Sequence, residues 1–340
     1  MPAKTFVKKR IVCIGGGTGT SAVINALKGK ADLCAVLAMF DNGGSAGQIK
    51  KELGLLPMGD LRQCLIAFAE NRDLASLLKY RFEKGFLKGH NLGNIILAAG
   101  AEKDGYEKTL EGWGKILGIK GKVIPSTLDK AELEAVLQNK KTVKGEEEIV
   151  NCPEISSGLK HLRLSAKAKA NPKAIIAIKK ADFIIIGPGK FYTSIMPIFL
   201  TEGMAEAIQK SKAKKIFICN LMTQPGNTDD FTVEKFLTET EKFLGKEGII
   251  DKIIFNTKIL PKETLKTVLK NFPGAGFVGY EPSIFKDRKF IGADLLSEEI
   301  QKLNPADMLV KGMNQRTIVI HSQKKLAKVL QKILKSNIPS

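Results

Sequence analysis

The run AVLAMFDNGGSAG (residues 35–47) places a carboxylate, an amide and a hydroxyl (Asp41, Asn42, Ser45) in a loop otherwise made of glycine and one alanine, with Gly43 and Gly44 before the serine. A second run, IVCIGGGTGTSA (residues 11–22), carries Gly16, Gly17, Thr18 and Gly19 directly after an apolar stretch. Each reads as a buried strand entering a loop stripped of side chains. Such loops turn backbone N–H groups, often with a helix N-terminus, toward an anionic ligand. The two runs lie about one βαβ unit apart, so a parallel sheet would set them side by side at one carboxyl edge. The chemistry expected there is recognition of a phosphate-bearing ligand.

Three further sets carry polar groups at comparable places. GHNLGN (89–94) puts His90, Asn91 and Asn94 around a helix start, and His90 is one of three histidines. A structural and a ligand-contacting role for His90 are both open. IIIGPGKFYTS (184–194) is a strand, then the turn Gly187, Pro188, Gly189, then Lys190, Tyr192, Thr193 and Ser194 as donors to phosphate or sugar. ICNLMTQPGNTDD (218–230) ends a strand with Asn220, Thr223 and Gln224. Each alone could be an ordinary βα loop; together they point to one site. The frame Gly17-x-Gly19-x-x-Ala22 also fits a dinucleotide-binding turn, with Asp41 placed to hold ribose hydroxyls, so a nicotinamide oxidoreductase is an alternative. No histidine or cysteine pair has metal-ligand spacing, and no metal ligands are assigned.

The elements that must position these groups follow from apolar periodicity. Strand 11–14, helix 20–28 and strand 33–40 open a βαβ unit. Helices follow at 48–53, 61–70, 74–81, after Asn91, and at 104–117. Residues 121–165 change character: short β-like pieces at 122–124, 142–143, 148–150 and 159–164, with one helix at 130–138, read as a small antiparallel insertion. The alternation then resumes with helix 172–179, strand 181–189, helix 196–210, strand 214–222, helix 232–244, strand 252–256, helix 262–270, strand 317–321 and helix 324–334. The expectation is a single domain over 1–340, a doubly wound, mostly parallel Rossmann-like three-layer sandwich with the insertion at 121–165.

Composition sets bounds. At 340 residues, 44% hydrophobic and 26% charged, the chain has the make-up of a soluble globular protein. No apolar run reaches the roughly 18 residues of a membrane span, and the N-terminus lacks a signal-peptide cleavage site, so a cytoplasmic location is expected. The five cysteines are odd in number and scattered, which reads as buried free thiols. A net charge of +19 would suit nucleic acid, but only seven of the 54 basic residues are arginine and the lysines are spread along the chain. That pattern is a solvated lysine-rich surface, one that draws small anions toward a cleft. The partner expected is a nucleotide-linked small molecule. Nucleic acid is disfavoured, and a homodimer is left open.

In order, GGGTG, D-N-GGS-x-G, P-x-GDLR-x-C (Pro57 to Cys64), GH-x-LGN, GPG-x-x-YTSI and CNLMTQPG-x-T resemble the gluconeogenesis-factor family of bacteria (YvcK, or CofD-like). That family is related to 2-phospho-L-lactate transferase of deazaflavin-coenzyme synthesis. The resemblance implies a Rossmann-like fold that binds a nucleotide-linked ligand. In the bacterial branch this is UDP-N-acetylglucosamine, with a role in cell shape and growth on gluconeogenic carbon. In the transferase branch, phospholactate moves from a nucleotide donor to a deazaflavin, with Mg²⁺ as the implied cofactor. Carried over by motif, Gly16 to Gly19, Asp41 to Ser45, His90, Asn91, Asn94, Gly187 to Gly189, Tyr192, Thr193, Asn220 and Thr223 would line the site. The chain departs from the family pattern at Asn42, usually a second Asp, at Lys190, usually Ser, and at Ile320-His321-Ser322, where the bacterial branch tends to read Arg-His-Asp. The loss of a carboxylate at position 42 weakens a cation site and with it the transferase reading.

Overall fold

The computed structural model describes residues 8–271, 273–298, 309 and 319–336. In chain order its strands are β1 (Arg10–Gly15), β2 (Asp32–Leu37), β3 (Gly121–Pro125), β4 (Leu133–Leu137), β5 (Thr142–Lys144), β6 (Leu159–Leu164), β7 (Phe183–Ile186), β8 (Lys214–Ile218), β9 (Lys252–Asn256) and β10 (Phe290–Ala293). The helices are α1 (Gly17–Leu27), α2 (Gly44–Leu53), α3 (Gly59–Phe68), α4 (Arg72–Leu77), α5 (Leu92–Asp104), α6 (Tyr106–Ile116), α7 (Glu146–Val150), α8 (Ile155–Gly158), α9 (Pro172–Lys180), α10 (Met196–Phe199), α11 (Met204–Lys210), α12 (Val233–Phe243), α13 (Lys262–Asn271) and α14 (Gln323–Ser336).

Among the described residues, seven strands form one parallel sheet in the order β10-β9-β8-β7-β1-β2-β3. The chain builds outward from β1 through β2 to β3, then returns to the other side of β1 and builds outward from β7 to β10. The direction of winding reverses between β1 and β7. A crevice opens at the carboxyl ends of the strands at such a reversal. β4, β5 and β6 form a separate antiparallel sheet in the order β5-β4-β6.

The central strands are apolar on both faces, as a covered parallel sheet requires. On β1, Ile11 and Cys13 join Val23, Ile24, Leu61, Leu65, Leu326 and Leu330 on one face. Val12 and Ile14 join Ile178, Ile208, Phe236 and the apolar side of the insertion on the other. Helices α1, α3 and α14 thus cover one face; α9, α11 and α12 cover the other. Local signals start several helices: Asn171 accepts the Lys173 N–H at 2.9 Å ahead of Pro172, and Thr232 accepts the Lys235 N–H at 3.2 Å. All five cysteines are buried and free.

Several expectations are corrected. Residues 122–124 belong to β3 of the main sheet, so the antiparallel unit begins after it. The helix expected over 130–138 is instead β4. Leu133, Ala135 and Leu137 are buried with period two, and Glu134 pairs across the strands with Lys144 at 3.1 Å and Arg163 at 2.9 Å. Cross-strand pairing and alternation override a helix-forming composition. Residues 148–150, expected as strand, close helix α7, whose first turn holds three glutamates. The helix over 196–210 is broken between α10 and α11 around Gly203 (φ +88°). β10, at the sheet edge, was not anticipated. Of the strand expected over 317–321, residues 317 and 318 lie outside the described residues, and His321 makes an isolated bridge to Leu296.

Candidate functional site

The loops after β1, β2, β7 and β8 meet at the crevice between β1 and β7, and the glycines there serve close contact. A Cβ on Gly19 would stand 1.7 Å from the Pro188 carbonyl oxygen, and one on Gly47 would stand 1.8 Å from that of Asn42. A Cβ on Gly17 would be 2.7 Å from the Cα of Asp60, and one on Gly16 3.0 Å from the Cβ of Ser194. Helix α1 is therefore packed backbone to backbone against the Gly187–Gly189 turn, which contains a cis Gly187–Pro188 bond. Glycine is required there by neighbouring protein as much as by any ligand.

Resident carboxylates meet two of the helix N-termini. Asp60, in the first turn of α3, accepts the Gly17 N–H at the start of α1, and Asp41 accepts the Gly43 N–H at 2.9 Å ahead of α2. Both are half-buried. Burial pushes the Asp60 carboxyl up to about 6, with Glu146 adding to it and the Gly17 N–H, Lys190 and Arg62 opposing. Burial also raises Asp41 well above the carboxylate range, reinforced by Glu146 and Asp60. Glu146, from α7 of the insertion, is buried and bonds Lys190 Nζ at 2.9 Å. Burial alone would lower the Lys190 ammonium; Glu146, Asp41 and Asp60 together hold it above the ordinary lysine value. The crevice thus holds three carboxylates around one ammonium.

The remaining expected residues fall into groups. Ser45 Oγ is a hub: it accepts the Asn91 N–H at 3.0 Å and the Asn94 amide at 3.3 Å, and lies 3.5 Å from His90 Nδ1. Asn91 is chiefly structural; it caps α5 by accepting the Asn94 N–H and donates to the Lys79 and Tyr80 carbonyls. Asn94 Oδ1 and Thr193 Oγ1 are buried without a hydrogen-bond partner. Thr18 is exposed and donates to Gln63. Asn220 accepts the Gly189 N–H at 3.3 Å, and Thr223 is tied to the backbone of Gly276, so both brace loops. Gly44 opens α2 with φ +53°. Tyr192 departs from the expected role. Its ring is buried against Phe191, Phe231 and Phe243, which places it in the core.

Asn42 is spent on the insertion: its Oδ1 accepts the Glu147 N–H at 2.7 Å and its Nδ2 donates to Glu148 at 2.9 Å. Asp60 and Glu146 were not among the expected site residues. Asp60 stands in a family motif, which was its signal. Glu146 had none, since only the fold brings it to Lys190. Asp41, Asp60 and Glu146 have the oxygen chemistry of a Mg²⁺ site. Yet among the described residues no three His, Cys, Asp or Glu side chains converge to hold a metal ion, and Lys190 is already the cation these carboxylates share.

The profile of the 2-phospho-L-lactate transferase CofD family matches residues 11–282. A gluconeogenesis-factor relative from Thermotoga maritima is 38% identical over 330 residues, covering 95% of this chain and 99% of its own. The gluconeogenesis factor of Bacillus subtilis is 38% identical over 261 residues, 75% of this chain and 81% of its own. A crystal structure of a UPF0052 family member from Bacillus halodurans, 31% identical, superposes with a TM-score of 0.83 over 95% of this chain and 99% of that one. The crevice, its motifs and these matches agree: the chain belongs to the CofD family and groups there with the gluconeogenesis factors.

Proposed function

We propose that this protein binds a nucleotide-linked anionic ligand, a UDP-sugar of the UDP-N-acetylglucosamine kind, in the crevice between β1 and β7. In this reading it acts as a cytoplasmic regulator of cell shape and of growth on gluconeogenic carbon, and not as a catalyst. The observation that carries it is the Lys190 ammonium at the point where sheet winding reverses, beside two glycine turns. A diphosphate needs a fixed cation and backbone N–H groups; at this switch point the ligand would take them over from the resident carboxylates Glu146, Asp60 and Asp41. Ser45, His90 and Asn94 supply hydroxyl, ring and amide groups for a sugar or ribose. The test is a thermal-shift series with UDP-N-acetylglucosamine, UDP-glucose, GDP, GTP and NAD(P)H, with Mg²⁺ or with a chelator. Saturation at about 100 times the dissociation constant stabilises a fold by roughly 2.7 kcal/mol. A shift with UDP-sugars in chelator is expected, and no shift with any of them would overturn the reading.

A second reading is favoured by the family profile itself: transfer of a phospholactyl group from a nucleotide donor. Mg²⁺ would then use Asp41 and Asp60 together with phosphates of the donor. A shift confined to guanine nucleotides plus Mg²⁺ is what that reading requires. The nicotinamide alternative is weakened by Asp41, whose carboxylate is engaged by the Gly43 N–H and half-buried beside Asp60 and Glu146.

A further inference from the structure

The Asn42 side chain uses both ends of its amide on one short helix. Oδ1 accepts the Glu147 N–H at 2.7 Å, and Nδ2 donates to Glu148 Oε2 at 2.9 Å. An aspartate could make the first contact but would set its charge against the Glu148 carboxylate. The fit is tight, since a Cβ on Gly145 (φ +96°) would stand 2.4 Å from Asn42 Nδ2. The far end of α7 is held in the same manner. Asn227, itself buried, donates its amide to the Ile149 and Val150 carbonyls, each at 3.2 Å. Two asparagines from loops of the main sheet thus grip the inserted helix at both ends. At the first residue of α7, directly before the Asn42 grip, Glu146 meets Lys190 at 2.9 Å in the crevice.

We propose that Asn42 is a positioning residue that acts through α7: it holds Glu146 on Lys190, where the carboxylate stands in for the anionic group of a ligand until that ligand displaces it. An anion entering the crevice exchanges with Glu146 for the same ammonium. No bond is made or broken; one charge-assisted hydrogen-bond acceptor replaces another. Position 42 serves the clasp, and Glu148 is its chemical counterpart. The exchange rests on the anionic-ligand reading above; the clasp does not.

The test compares wild type, N42D, N42D/E148Q and E146Q by two readouts. The first is amide hydrogen exchange over residues 145–151 of the ligand-free protein. N42D should speed exchange there at least tenfold, and E148Q in the same chain should restore protection, because a glutamine can donate to the new aspartate. The second is the dissociation constant for inorganic pyrophosphate and for UDP-N-acetylglucosamine, measured in chelator. N42D and E146Q should bind three- to tenfold tighter than wild type, and N42D/E148Q should return to the wild-type value. Unchanged exchange in N42D, or loss that E148Q does not rescue, would overturn the clasp. Weaker binding by E146Q would overturn the exchange. If neither probe binds any variant, the ligand reading and the exchange fail together, and the hydrogen-exchange readout still decides the clasp.

Discussion

Asp60 ties the chemistry of the crevice to the stability of the fold. Its carboxyl is pushed up to about 6 by burial, above its value in an unfolded chain. A carboxylate raised in this way binds more protons folded than unfolded, so its contribution to stability falls as pH rises through roughly 4 to 6. Asp41 has the same sign. Asp60→Asn keeps an acceptor for the Gly17 N–H and removes the buried charge. It should raise the melting temperature at pH 7.5, by on the order of 1–3 kcal/mol of stability, and leave it nearly unchanged at pH 4. Scanning calorimetry at both values checks this. His321 has the opposite sign: burial lowers it to about 4, so its contribution is complete above the unfolded value and is lost as pH falls from about 6.5 toward 4. Asp41 and Ser45 were legible in the sequence because a carboxylate and a hydroxyl in a glycine loop stand out. Glu146 was hidden, since nothing local distinguishes it from the two glutamates that follow.

At the level of elements, β1, β2 and β7 to β9 are legible because they are continuous apolar runs, β1 and β7 running into glycine, whereas the edge strands β3 and β10 carry no such signal. The insertion was misread where two signals compete. AELEAVLQ carries good helix formers, yet burial of Leu133, Ala135 and Leu137 follows period two and Glu134 is claimed by Lys144 and Arg163. Tyr192, a donor following a glycine turn, looks like a ligand group in the sequence, while the structure packs its ring against other aromatics. The π turn Phe191–Ile195 leaves Phe191 and Tyr192 both buried in the aromatic core. Two predictions belong here. Gly19→Ala sets a methyl 1.7 Å from the Pro188 carbonyl oxygen and must push α1 off the Gly187–Gly189 turn. It should destabilise by more than the roughly 1–3 kcal/mol usual for overpacking and abolish ligand-induced stabilisation, read by denaturant melts with and without UDP-N-acetylglucosamine. Phe191→Ala removes a fully buried ring that meets Tyr192, Phe231 and Phe236 edge-on. A loss of about 3–5 kcal/mol is expected from the same melts.

For the whole molecule, a net charge of +19 and an acidic crevice act at different ranges. The lysine-rich surface attracts an anion from a distance, while inside the crevice the proposed receiver is Lys190, paired with Glu146. Association of UDP-N-acetylglucosamine should therefore slow as salt is raised from 50 to 500 mM, by several-fold in a stopped-flow measurement, because surface attraction is screened beyond about 10 Å at 0.1 M. Among the described residues no helix is long and apolar enough to cross a membrane. The sheet order, with its reversal between β1 and β7, opens the crevice in which the ligand is proposed to bind. The most direct measurement is a hydrogen-exchange footprint of the whole chain with and without saturating UDP-N-acetylglucosamine. Protection concentrated on residues 15–20, 41–47, 90–94 and 187–194 is the predicted result. Protection elsewhere with those loops unchanged would contradict it.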